Sequence, residues 1–136
     1  MSDKHPAHEA GRRSRDAVIA RDKEAWLAVF TDDAIVEDPI GPSALDPEGK
    51  GHRGRDAISA FWDKAIAPTT KIEFVFRDTY QCGNEEANVG HILITTGDYL
   101  TTAEGVFTYQ ANDDGKMVAL RAYWEMDRAV ASTRRV

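Results

Sequence analysis

Two adjacent carboxylates, Glu37 and Asp38, stand between a short apolar run and a proline in the stretch FTDDAIVEDPIG, Phe30 to Gly41. If such a side chain turns into an apolar interior, desolvation raises its pKa and makes it a base suited to taking and returning a proton. If it turns outward, it is an Asp opening a turn ahead of Pro39, the commoner use of that pair. Ala34, Ile35 and Val36 read as a strand, and Pro39 biases Asp38 towards extended backbone. Alternation places Asp38 on the face of Val36 and Glu37 on that of Ile35, and parity alone leaves open which acid is buried.

The elements that must position this pair follow from hydrophobic periodicity. The start is expected to be a mobile tail to about Pro6, then a helix to about Arg21 whose face carries Ala10, Ser14, Ala17, Val18 and Arg21. Asp22 can cap a second helix, Lys23 to Phe30, with Trp26, Leu27 and Phe30 as its apolar stripe. The stretch GPSALDPEGKGHRG is too rich in glycine and proline for regular structure and reads as a loop that could act as a lid or rim. Its Lys50, His52, Arg53 and Arg55 are in the main solvated charges, with an acidic ligand group as the functional alternative. From Arg55 to Ala67 the spacing of Ile58, Phe61, Trp62, Ala65 and Ile66 predicts a third helix, which Pro68 ends.

Strands follow. KIEFVFRDTYQC alternates Ile72, Phe74 and Phe76 inward. Ala87 to Thr96 carries Gly90, Ile92 and Ile94 on one face and Val89, His91 and Leu93 on the other, so both faces look partly buried. A third strand to about Ala111 aligns Ala103, Phe107 and Tyr109. The DDG turn joins it to a last strand, Lys116 to Met126, with Leu120 and Trp124 on one face. Three helices and a curved, mostly antiparallel sheet predict an α+β fold with a cavity between the layers.

The string VEDPIG, preceded by FTDDA and followed by GHRGRDAISAFW, resembles the ketosteroid isomerases of the nuclear transport factor 2-like superfamily, whose fold is a cone-shaped barrel. DKEAWLAVF is similar to the family's second helix and GKMVALRAYW to its last strand, and the likeness spans nearly the whole chain after about residue 14. It implies that Asp38 is the general base of a steroid delta-isomerase-type reaction on a hydrophobic ketosteroid. It also implies a steroid-like ligand among Val18, Phe30, Val36, Phe61, Trp62, Ile92, Phe107, Leu120 and Trp124, and a homodimer formed through the outer sheet face. His91 is then expected at an interface.

In that family a tyrosine and a protonated acid hydrogen-bond the dienolate oxygen. This chain departs from the pattern. An ungapped count back from EDP puts Ser14 at the tyrosine position, and a count across the third strand puts Phe107 at the acid position, while Phe30 and Trp62 stand where related isomerases can carry tyrosines. Ser14, Tyr109 and the indoles of Trp62 and Trp124 are the candidate replacements, and Glu104 faces away by parity. Losing one oxyanion donor typically costs on the order of 100-fold in rate, so a steroid- or polycycle-binding protein without efficient turnover is the second reading. Cyclase or epoxide hydrolase chemistry is the third, though no inward-facing Asp, Arg and Asp set for the hydrolase can be assembled.

Composition bounds the rest. The 136 residues suit one domain, 42% hydrophobic and 29% charged, with a formal net charge of -6 that argues against nucleic acid or an anionic membrane surface as partner. No apolar run approaches the ~20 residues of a membrane span, the polar start does not read as a signal peptide, and the single Cys82 forms no internal disulfide, which together predict a cytoplasmic protein. No metal and no cofactor is implied: HExxH, CxxC and Gly-rich phosphate loops are missing. His5 and His8 have no further ligand cluster beside them.

Overall fold

The computed structural model describes residues 5–136. Helix α1, Pro6–Ile19, is capped by His5, whose Nδ1 accepts from the His8 backbone N–H at 3.4 Å, and Pro6 occupies the first turn, where its missing N–H costs nothing. The predicted tail is thereby shortened: His5 Nε2 lies 2.6 Å from the Gly83 carbonyl and His8 Nδ1 lies 2.6 Å from Glu86, so both imidazoles tie α1 to a strand hairpin. Residues 1–4 of that tail fall outside the described residues. The buried face of α1 is built of Ala7, Ala10, Gly11, Ser14, Ala17 and Val18, small side chains that let the helix lie close to the sheet. At Gly11 the approach is closest, since a methyl there would collide with the ring of Tyr109.

Helix α1 stops at Ile19 rather than Arg21, because Arg21 takes a positive φ of 62° and turns the chain. Its guanidinium then donates to the carbonyls of Ile66 at 2.9 Å and Thr69 at 2.7 Å. Helix α2, Lys23–Leu27, is capped by Asp22, which accepts from the Ala25 N–H at 3.0 Å. It is three residues shorter than its apolar stripe predicts. Phe30 has already entered strand β1, Phe30–Glu37, where it pairs with Met117. Helix α3, Arg55–Phe61, continues as a π-turn over Trp62–Ile66, so the predicted element is present with a looser second half.

The sheet comprises β1, β2 (His52–Arg53), β3 (Lys71–Cys82), β4 (Glu85–Thr96), β5 (Tyr99–Ala111), β6 (Met117–Trp124) and β7 (Arg134–Arg135). Its order is β2-β1-β6-β5-β4-β3, with β7 added to β5. Only the β1–β6 pairing is parallel among these strands, in keeping with the mostly antiparallel expectation. Within the loop expected to lack regular structure, His52 and Arg53 pair with Val36 and Ile35. After the last strand comes helix α4, Met126–Ser132, where the sequence reading carried a strand to Met126.

The core lies between the helices and the concave sheet face. Trp26 is at its centre, 4.8 Å from Phe30 and 5.3 Å from Trp62 between ring centroids. Among the described residues no helix is long and apolar enough to cross a membrane. The architecture is α+β, with helices packed on a curved sheet that leaves one concave side open to a ligand.

Candidate active site

The question that parity leaves open at Glu37 and Asp38 is decided by a strand far away in sequence. Register pairs Glu37 with Arg121 of β6, whose Nε donates to Glu37 Oε1 at 2.7 Å on the outer side. Asp38, one residue on, faces the opposite way into the space beneath the helices. Beyond the cis peptide to Pro39, the Ile40 N–H donates to the Ala122 carbonyl at 3.0 Å and fixes the chain as it leaves the sheet.

Asp38 opens onto a cavity of about 120 Å³ lined almost wholly by apolar side chains. Part of its surface reaches the cavity, but the walls around it are mostly apolar. Burial therefore pushes its pKa above the usual carboxylate range, and a hydrogen bond from Trp124 opposes that rise. The bond is short: Trp124 Nε1 donates to Asp38 Oδ1 at 2.6 Å. A carboxylate in this setting has raised proton affinity, with one oxygen held by the indole.

The cavity wall brings together Ser14 and Val18 of α1, Phe61 of α3, Ile92 of β4, Phe107 and Tyr109 of β5, and Leu120 and Trp124 of β6. Each of these was singled out from sequence. Phe30, Val36 and Trp62 are placed elsewhere: all three are buried in the core behind the wall, where Phe30 and Trp62 pack on Trp26. Trp124 is also reassigned, since its N–H is committed to Asp38 and so is not a free oxyanion donor. Trp26, Leu45, Phe74 and Ile94 line the cavity as well and were not anticipated as site residues.

Leu45 gives the long loop a structural part in the site. Asp46 accepts from the N–H groups of Gly49 at 3.2 Å and Gly51 at 2.8 Å, while Ser43 Oγ accepts from the Leu45 N–H at 3.1 Å. These bonds fold the loop on itself and hold Leu45 against the cavity. Of the loop's cationic side chains, Arg53 donates to the Asp33 carbonyl and Lys50 pairs with Glu48 at the surface.

Two hydroxyls share the cavity with Asp38. Ser14 Oγ accepts from Trp26 Nε1 at 3.0 Å, which leaves its own proton to donate. Tyr109 is 4% exposed; burial pushes its phenol pKa up, the charge of Arg15 and hydrogen bonding to it draw it down, and Asp38 and Glu86 push it up again. The phenol therefore stays neutral at ordinary pH and keeps a proton to donate. Phe107, at the position where the resembling family has an acid, stacks on Phe76 at 5.7 Å and offers no donor.

Beside Tyr109, strand β4 buries a polar cluster that apolar patterning could not reveal. Glu86, 1% exposed, accepts from Gln81 Nε2 at 3.0 Å and Asn88 Nδ2 at 3.1 Å in addition to its contact with His8. Burial would raise its pKa, but these three partners outweigh it and hold the carboxyl below its usual range.

Comparison with known proteins places this geometry. Residues 12–130 match the SnoaL-like domain. The steroid Delta-isomerase of Nocardioides simplex is 27% identical over 124 residues, covering 82% of this chain and 84% of that one. Among solved structures, RV0760c from Mycobacterium tuberculosis is 32% identical, with a TM-score of 0.88 over 98% of both chains. A structure of RV0760c in complex with estradiol-17beta-hemisuccinate superposes with a TM-score of 0.85, at 32% identity over 96% of this chain and 99% of that one. The Delta 5-3-ketosteroid isomerase from Mycobacterium sp. is 34% identical, with a TM-score of 0.86 over 98% of this chain and all of that one. The chain belongs to the SnoaL-like domain family and has the nuclear transport factor 2-like fold of the ketosteroid isomerases.

Proposed function

We propose that the protein is a steroid delta-isomerase-type enzyme in which Asp38 moves a proton between two carbons of one hydrophobic ketosteroid. The observation that carries this reading is the placement of Asp38: desolvated by an apolar cavity, held by Trp124 at 2.6 Å, and sharing that cavity with Ser14 and Tyr109. The carboxylate removes a proton from the carbon between the ketone and an isolated double bond. The electron pair moves into a dienolate whose oxygen accepts from the hydroxyls of Ser14 and Tyr109. Asp38 then returns the proton to the far carbon, giving the conjugated enone. Cavity walls of Val18, Phe61, Ile92, Phe107 and Leu120 suit a rigid apolar ring system and exclude water from the carboxylate. The named isomerase relatives support this reading.

A second reading keeps the cavity as a steroid-binding site without efficient turnover. It is favoured by one observation, the stacked Phe107 where the family's acid donor would stand. Conversion of an unconjugated 3-keto steroid, followed by the rise of enone absorbance, separates the two. Rapid conversion by the wild type, lost in Asp38→Asn, supports the isomerase. Saturable quenching of tryptophan fluorescence by the steroid without conversion supports the binder.

We also propose a homodimer through the outer sheet face. Val75 is 39% exposed and Tyr123 53% exposed there. Val89, Leu93 and Val106 share that face by register. His91, 3.5 Å from Glu104, lies on it too.

A further inference from the structure

Arg15 is not explained by the site described so far. It stands on α1 next to Ser14, yet its guanidinium turns inward over two aromatic rings, 5.4 Å from the centroid of Phe76 and 5.6 Å from that of Tyr109. Its Nη1 is buried with no hydrogen-bond partner among the described residues. A cation that is partly buried and holds one donor unused out of water is costly unless its field serves something, and an arginine is neutralised in no ordinary pH range. The side chain next to it that reaches the substrate cavity is Tyr109. That ring also packs against α1 itself at Gly11, one turn before Arg15, where there is room for nothing larger than hydrogen.

We propose that Arg15 is a positioning residue acting through Tyr109: its guanidinium fixes the phenol in the cavity wall and places positive charge behind the hydroxyl that donates to the ketone oxygen. This rests on the isomerase reading and deepens it. As the dienolate forms, negative charge grows on the substrate oxygen, and a donor backed by a fixed cation strengthens as that charge develops. The arrangement replaces by a different route what Phe107 cannot supply. A tyrosine on β5 takes the place of an acid two residues earlier on the same face, with a helix arginine as its support. The charges facing Tyr109 are Arg15, which draws the phenol pKa down, and Asp38 and Glu86, which push it up.

The test compares wild type, Arg15→Met, Arg15→Lys and Tyr109→Phe, each checked by thermal melting. Tyrosine labelled with 13C at the ring Cζ reports ionisation, and Tyr109→Phe identifies the resonance. In Arg15→Met the Tyr109 resonance is expected to titrate at higher pH than in wild type, with Arg15→Lys between. In the steroid assay kcat is expected to fall about 10- to 100-fold in Arg15→Met and Tyr109→Phe with KM changed less than about threefold, the size typical of a weakened oxyanion donor. Lysine is expected to restore part of it. An unmoved Tyr109 titration, or wild-type kcat in Arg15→Met, overturns the proposal even if the enzyme is an active isomerase. If the wild type converts no steroid, the isomerase reading fails on its own, and 2-naphthol decides the Arg15 assignment. A smaller naphtholate fraction bound by Arg15→Met than by wild type supports it, and equal fractions overturn it.

Discussion

Replacing Trp124 by phenylalanine removes one hydrogen bond from Asp38 and keeps an aromatic ring in the cavity wall. The bond is from a neutral indole N–H to a carboxylate at 2.6 Å, and bonds to charged groups contribute about 1.5–3 kcal/mol. It stabilises the ionised form, opposing the desolvation that raises the Asp38 pKa. Its loss therefore raises that pKa further, and the ionisation equilibrium shifts by about 10- to 100-fold, at 1.4 kcal/mol per factor of ten. Fewer molecules carry a usable base at a given acidic or neutral pH, while each ionised Asp38 is a stronger base. The pH profile of kcat/KM for an unconjugated 3-keto steroid should therefore move its rising limb to higher pH, with the plateau within a few-fold of wild type. The 13Cγ resonance of Asp38 should move its midpoint in the same direction. A rising limb and a carboxyl midpoint that both stay in place would show that the indole does not tune the base.

The remaining expectations concern stability and assembly. Asp38 has a folded pKa above its unfolded value of 3.8, so its ionisation penalises the fold. The penalty is absent below the unfolded pKa, grows as pH rises through the folded one and is complete above it. Asp38→Asn should accordingly melt higher than wild type at neutral pH, by a margin that shrinks towards zero as pH falls below about 4, read by scanning calorimetry. Ser14→Ala leaves the buried Trp26 N–H without its acceptor and should cost about 1–3 kcal/mol in urea denaturation. Leu93→Asp places a charge in the centre of the outer sheet face and should convert a dimer to a monomer in sedimentation velocity without lowering the melting temperature by more than a few degrees.

Much of this architecture was readable because its periodicities are clean. The alternation of β3 and the helical spacing from Ile58 to Ile66 each specify an element and its inner face, whereas β4, apolar on both faces, specifies only the element. What stayed hidden depends on contacts between distant residues. Glu37 and Asp38 have the same local context, and only the Arg121 partner 84 residues away turns one outward. The duty of Trp124 likewise needs the register of β1 against β6. Helix α4 was missed because seven residues with Ala129 as the only buried side chain carry no periodic signal of their own. Phe30 was assigned to a helix stripe because an aromatic at that spacing suits either element, and pairing with Met117 decides for the strand. Glu86 and Arg15 escaped for a simpler reason. A charge is read as outward, and these two are accommodated inside by hydrogen-bond partners or aromatic faces supplied by other elements.

The central claim is that one carboxylate carries the same proton from one carbon to another. A ketosteroid deuterated at the carbon between the ketone and the isolated double bond tests it directly when the first turnovers are run in ordinary water and the enone is analysed by mass spectrometry and NMR. The account predicts enone carrying deuterium at the far carbon above the solvent level, formed by wild type and not by Asp38→Asn. Enone holding only solvent hydrogen at that carbon from the earliest turnovers, or label transfer undiminished in Asp38→Asn, would contradict it.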